Sequence, residues 1–235
     1  MNIEDLFRNL SYGELSNLAL SGEGLGTIVE SARPKIVMYA NDALTRLHTR
    51  FPLRTKDVLI EMYAHITNYH LLPRFARSTS PQVEKYPYIL DLPLEPFVDE
   101  VIQIESVFDT YGCNLPLNDE GNCHSVFTPQ AKVLQVPHPV AVAGAALNVI
   151  YRTKHDNLEH EKLDQPIFLP ETLHSAFTAY IAYKVYSHMN TVEATNKAQE
   201  HLAFYESVCN EVTENDAVNS SISTTNQRFE ERGWI

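Results

Sequence analysis

Apolar residues in this chain follow two rhythms, and the places where one gives way to the other constrain the fold more than any short motif. After Pro34, which suits the first turn of a helix, the residues Val37, Ala40, Leu44, Leu47 and Phe51 recur at alternating three- and four-residue steps. That is the period of one helix face. From Arg54 to about Thr153 the pattern breaks into short β-type runs at 58–63, 66–72, 101–108, 132–136 and 146–153. These read as the strands of a sheet. Tyr86-Pro87, Leu92-Pro93 and Val136-Pro137-His138-Pro139 separate them, because proline lacks the amide donor a ladder needs. Such Pro-containing loops are long for an independent domain and suit packing against neighbouring subunits.

The helical rhythm returns at Pro170-Glu171, where Leu173, Ala176, Phe177, Tyr180 and Ile181 form one stripe and Ala179, Ala182, Tyr183 and Tyr186 add a second apolar side. A helix apolar on most sides is buried on most sides, in a core or between subunits. Asn190-Thr191-Val192-Glu193 then opens a last helix with Ala198, Leu202, Tyr205, Cys209 and Val212 on one face. Helix, strand and helix in that order predict an α+β, mainly helical protein. The N- and C-terminal helices of 1–53 and 166–212 are expected to form one bundle, with a central inserted antiparallel β region at 54–165. Tyr180, Tyr183, Tyr186 and Tyr205 are candidates for a subunit interface.

Two further cap-like patterns, Asn2-Ile3-Glu4-Asp5 and Ser11-Tyr12-Gly13-Glu14, predict two short helices ahead of a Gly-rich turn at Ser21 to Gly26. Arg46, His48 and Arg50 stand where positive charge favours a helix C-terminus. Beyond Thr213 the periodicity stops. The polar tract Asn219 to Asn226 reads as a flexible spacer within an arm of 213–235. The arm ends in Arg228-Phe229-Glu230-Glu231-Arg232-Gly233-Trp234-Ile235, which holds the only tryptophan of the chain. Aromatic anchors after a spacer make a docking peptide.

A formal net charge of −12 argues against binding nucleic acid through phosphate neutralisation, although an acidic wall would keep DNA moving through a conduit from sticking. No apolar run approaches the ~20 residues a bilayer span needs, and the acidic start Met1-Asn2-Ile3-Glu4-Asp5 is unlike a basic signal segment. A protein made and kept in the cytoplasm is expected. Cys113, Cys123 and Cys209 are an odd, widely spaced set that suits reduced thiols. No Gly-x-Ser-x-Gly elbow, phosphate loop, dinucleotide fingerprint or zinc spacing is present. His155-Asp156-Asn157-Leu158-Glu159-His160-Glu161 reads as a solvated polar loop, and no catalytic residue, metal or cofactor is assigned.

The order of elements, together with Asp57 to Met62, Leu115-Pro116-Leu117-Asn118-Asp119, Leu147 to Tyr151 and Leu169-Pro170-Glu171 leading to Tyr180-Ile181-Ala182-Tyr183-Lys184-Val185-Tyr186, resembles the head-to-tail adaptor proteins of tailed, short-tailed phages, also called connectors or tubular tail proteins. The likeness covers nearly the whole chain. It implies a non-enzymatic virion protein at the head-tail junction, forming a homo-oligomeric ring that is a dodecamer in similar proteins. Such a ring sits under the portal vertex, meets the tail tube or nozzle protein, and passes genomic DNA without reading its sequence. By the same likeness the helices pack side by side around the ring and the β region faces the tail. The arm reaches the portal, with Arg228, Phe229, Arg232, Trp234 and Ile235 as docking residues. The rival readings are another virion tail-completion protein and a small acidic hydrolase using two carboxylates.

Overall fold

A computed structural model of the chain describes residues 1–18, 26–78, 86–138, 140–215 and 217–218. The described residues form an α+β fold with four α-helices and two antiparallel sheets, and about 37% of them are in helix and 22% in strand, so helix outweighs strand. The chain divides into two compact units, the described residues of Met1–Ala43 with Asn157–Ile235, and Leu44–Asp156. The Gly-rich turn except Gly26, the polar tract and the terminal anchors Arg228, Phe229, Arg232, Trp234 and Ile235 lie outside the described residues.

In the first unit, α1 (Ile3–Tyr12) opens with a capping box: the Asp5 amide donates to Asn2 Oδ1 at 2.8 Å and the Asn2 amide donates to Asp5 Oδ2 at 3.2 Å. Ile3, Leu6, Phe7 and Leu10 are buried at helical spacing. The second helix expected at Ser11 is not formed. Ser11 is instead a buried residue in the last turn of α1, and its hydroxyl accepts from the Gly26 amide at 3.2 Å. The Gly13 amide closes that helix on the Asn9 carbonyl at 2.8 Å, and turns follow.

A short 3₁₀ turn, Glu30–Ala32, leads into α2 (Arg33–Arg50), which buries the expected Val37, Ala40, Leu44 and Leu47. A second 3₁₀ turn, Glu171–Leu173, follows Pro170 and leads into α3 (His174–Ser187). Nine of its residues are buried, which fits its two-sided apolar pattern. α4 (Val192–Glu214) starts on Thr191, whose hydroxyl accepts from the Ala194 amide at 3.2 Å, and buries a single stripe of Ala194, Ala198, Tyr205, Cys209 and Val212 against α3.

In the second unit, β1 (Thr55–Glu61), β3 (Ile89–Leu90), β4 (Val101–Phe108), β5 (Asn114–Leu115) and β8 (Ala146–Thr153) form a five-stranded sheet in the order β3-β1-β8-β4-β5. β2 (Asn68–His70), β6 (Phe127–Gln130) and β7 (Val133–Gln135) form a second, three-stranded sheet in the order β2-β7-β6. The β region therefore holds two sheets, not one. The strands missed in sequence are the short β3 and β5, and β6, which carries Pro129 on a sheet edge where no ladder donor is needed.

β8 buries every second residue, Leu147, Val149, Tyr151 and Thr153, as a strand with one face on a core should. β4 buries Val101, Ile104 and Val107, a step of three. Two register shifts against β8, between Val101 and Gln103 and between Ile104 and Ser106, supply the extra residues.

The division between units falls inside α2 and ahead of the switch in periodicity, because the C-terminal part of α2 joins β8. His48 Nδ1 lies 3.1 Å from the Thr153 carbonyl, and Arg152 Nη1 donates to the Thr49 carbonyl at 2.6 Å.

Phe177 on α3 is 0% exposed. Phe177→Ala removes most of its packed side chain and is expected to destabilise the protein by about 3–5 kcal/mol. A lower urea midpoint in equilibrium denaturation checks this, and an unchanged midpoint contradicts the packing described.

Candidate functional site

Cross-strand pairing in the second unit builds a cleft of about 310 Å³ beside β1. Lys56 and Val58 stand opposite Tyr151 and Val149 in the β1/β8 register, and β3 joins the other edge of β1 through Leu59 opposite Leu90. After β3 the chain turns through Leu92 to Glu95, with the Glu95 amide donating to the Leu92 carbonyl at 3.0 Å. Phe97 then returns to the core, its ring 5.9 Å from that of Tyr151 in an edge-on contact.

Asp91 ties this segment down. Its carboxylate accepts from the Phe97 and Ser78 amides, each at 2.9 Å, and from the Ser78 hydroxyl. Burial alone would raise its pKa, but these donors outweigh burial and hold it below the ordinary carboxylate value. Lys56 Nζ pairs with Glu100 Oε1 at 2.5 Å. The Tyr151 phenol is pushed well above its ordinary pKa by burial and then by Glu100, Asp57 and Glu95, so it stays protonated. The cleft is thus acidic, with an apolar floor. Its surroundings carry exposed apolar side chains, Leu92 at 66% and Leu94 at 99% exposure, with Val98 and Leu59 also exposed.

A second constellation lies at the end of α2. His48 and His155 are both buried, their rings 5.7 Å apart and edge-on. Nδ1 of His48 faces the Thr153 carbonyl, and Nδ1 of His155 lies 2.6 Å from the Asp156 carbonyl, which places the proton of each neutral ring on Nδ1. Nε2 of His48 has no hydrogen-bond partner among the described residues. Desolvation lowers the His48 pKa to about 4, against the help of the Thr153 carbonyl, and also lowers that of His155. His48 was expected to bring positive charge to the helix end; it is buried and neutral there.

The aromatic residues proposed from sequence for a subunit interface fall in the first unit. Tyr180, Tyr186 and Tyr205 are 5%, 4% and 0% exposed. Tyr180 packs between Tyr183 and Tyr205, with ring separations of 5.6 and 5.2 Å, while Tyr186 stacks on His201 at 5.4 Å and donates to the Glu14 carbonyl at 3.1 Å. Their surface is used within their own chain. Tyr183, half-buried, is the member of the four that keeps surface for a neighbour.

The 155–161 segment is not simply solvated. Leu158 is buried, and its backbone exchanges two hydrogen bonds with the Asn41 amide side chain, at 2.8 and 3.1 Å. Cys113 and Cys123 are exposed, Cys209 is buried, and none of the three is in a disulfide.

Sequence reasoning missed the cleft because Lys56, Asp91, Glu95, Glu100 and Tyr151 form no local motif. The one available signal was Leu92-Pro93-Leu94-Glu95-Pro96-Phe97, an apolar Pro-rich connection flanked by acids. No protein-family model matches the chain, and no curated protein matches it.

Chemically, the cleft offers charge and hydrogen-bond acceptors. Among its carboxyls, Asp91 has a lowered pKa, the reverse of what a general acid requires, and Glu100 is engaged with a lysine.

Because the folded-state pKa of His48 is lowered, the unfolded chain takes up the proton more readily. Stability from this group is complete above about pH 6.5 and is lost as pH falls toward about 4. His155 has the same sign. The melting temperature is expected to drop through this window, with a shallower drop in His48→Phe, which keeps a ring but cannot take the proton. A parallel acid limb in the variant would remove the histidine from the account.

Proposed function

We propose that this chain is a structural virion protein of a tailed phage, a head-to-tail adaptor whose copies form a ring between the portal vertex and the tail and let DNA pass. The observation that carries the reading is the number of large apolar side chains left in solvent on loops, helix surfaces and helix starts. In the β-rich unit these are Leu94, Tyr111 at 88% exposure, Leu92 and Val142; in the helical unit they include Val192 at 79%, Phe168, Met38 and Phe204. A solitary soluble protein exposes few contiguous apolar groups, whereas a subunit with several partners carries them where those partners will sit. The order of elements, a β-rich stretch inserted between helical segments, supports the same reading through the resemblance described above.

The finer arrangement belongs to this proposal: α1 to α4 pack as one bundle side by side around a dodecameric ring, and the β region faces the tail tube or nozzle protein. The arm of 213–235 docks on the portal through Arg228, Phe229, Arg232, Trp234 and Ile235. The net charge of −12 suits a conduit that must not retain DNA. Another tail-completion protein would share these features. The acidic cleft favours a small acidic hydrolase as the second reading, though the states of Asp91 and Glu100 count against it.

Electron microscopy and mass photometry of the full chain, alone and with the portal protein, test the proposal. A ring stacking coaxially on the portal is the expected outcome; a monomer indifferent to the portal overturns it and reopens the hydrolase reading. Deleting residues 228–235 is expected to abolish portal binding while the far-ultraviolet circular dichroism and melting temperature stay unchanged. Replacing Leu94 and Tyr111 together by serine is expected to weaken assembly at least about tenfold with little change in melting temperature, since both side chains are exposed.

A further inference from the structure

Unpaired polar atoms gather at one end of the β-rich unit. His48, in the last turn of α2, and Thr153, the last residue of β8, are both buried, and neither His48 Nε2 nor Thr153 Oγ1 has a hydrogen-bond partner among the described residues. The same holds for Nε of Arg152, although its two other nitrogens reach the Thr49 carbonyl and Glu105. Buried polar groups are nearly always paired, so three unpaired ones in one junction mark a seam held closed against a desolvation penalty. Opening that seam gives each of them water.

Burial works against a positive charge on His48, and the groups that face it add to this. They are His155 from the segment after β8, its ring edge-on to that of His48 at 5.7 Å, Arg54 from the entry to β1, and Arg152 from β8. Asp156 favours a charge on His155, but it is already engaged by Arg54 at 3.1 Å, and its side chain is 61% exposed. In the closed seam Nδ1 of each ring faces a backbone carbonyl, Thr153 for His48 and Asp156 for His155. A neutral ring is therefore satisfied on that side. A proton added at Nε2 of His48 creates a buried donor without an acceptor, beside two guanidinium groups.

The position of the pair decides what opens. It joins the final turn of a helix to the end of a strand, and such ends part at far less free energy than the middle of either element. The inner ladder of β1 on β8, with Val58 opposite Val149 and Ile60 opposite Leu147, is held by its own apolar contacts. Acid reaches the seam before it reaches the sheet.

We propose that His48 and His155 form an acid-sensitive latch: neutral rings hold the end of α2 against the end of β8, and protonation releases residues 46–50 from residues 152–156 while the central strands stay paired. The release is local, precedes global unfolding, and does not depend on whether the chain assembles as a ring. Its sign follows from burial. Both rings bind a proton less readily in the closed seam, His48 down to about 4 from an ordinary 6.5, so falling pH favours the open form through that window.

The test is hydrogen-deuterium exchange of the full chain, read by mass spectrometry at about pH 7 and about pH 5 and corrected for the intrinsic pH dependence of exchange. Expected at the lower pH is a loss of protection of at least about tenfold in peptides covering 46–50 and 152–156, with those covering 57–60 and 147–150 unchanged. The His48→Phe, His155→Phe double variant is expected to keep the seam protected in acid. Nitrogen NMR of the histidine rings reads the same latch without a substitution. In the wild-type chain both rings are expected to be neutral with the proton on Nδ1 near neutral pH, and to gain charge over the range in which the seam loses protection. Equal protection of the seam at both pH values, loss spread evenly along β8, an acid response retained in the double variant, or opening that precedes any charge on the rings overturns the latch.

Discussion

The pairing of β1 with β8 is the constraint on which the rest of the β-rich unit depends. It joins residues at opposite ends of the insertion, from Thr55 opposite Arg152 to Glu61 opposite Ala146. Each such contact closes a long loop, whose entropy must be met before any side chain gains from it. The return is a seven-residue ladder with Val58 on Val149 and Ile60 on Leu147 at its centre, all buried. The Thr153 amide extends this junction to the Arg54 carbonyl at 3.0 Å. The chain therefore leaves and re-enters the unit at neighbouring points, which lets a long β-rich stretch interrupt a helical one without opening either.

The same pairing organises the polar chemistry. β8 carries Tyr151 into the cleft and Thr153 to His48, so one strand serves both constellations through residues two apart on its buried face. In each place burial disfavours the charged form: it raises the pKa of a phenol beside carboxylates, and it lowers that of a histidine at a helix C-terminus where charge would otherwise be favoured. A buried neutral histidine whose Nε2 has no partner is a liability in acid. It persists because the Thr153 carbonyl orders its other nitrogen and because few charged forms fit so desolvated a position.

The two units expose their apolar groups differently. In the helical unit the tyrosines of α3 and α4 are consumed internally, and what faces solvent is a scatter along helix surfaces and at helix starts. In the β-rich unit the exposed groups concentrate on the Pro-containing connection after β3, beside a cleft of unbalanced negative charge.

How much of this was legible in the sequence follows from the range of each interaction. Helix boundaries were readable where caps and periodicity act within a turn: Asn2 with Asp5, Thr191 with Ala194, and the stripe of α2. β4 and β8 were readable with their bounds, because eight residues of β-branched and aromatic character outweigh any local alternative. Ser11 misled for the same reason. Its cap-like pattern is local, while its actual partner, the Gly26 amide, lies beyond the helix. The second sheet, the threefold burial step of β4, the cleft, the neutral state of His48 and the inward fate of Tyr180, Tyr186 and Tyr205 were not readable. Each depends on which distant strand or helix supplies a hydrogen bond, removes water or occupies a face. Residue types and spacing settle the elements, but desolvation and register belong to the assembled chain, and it is those that make a site.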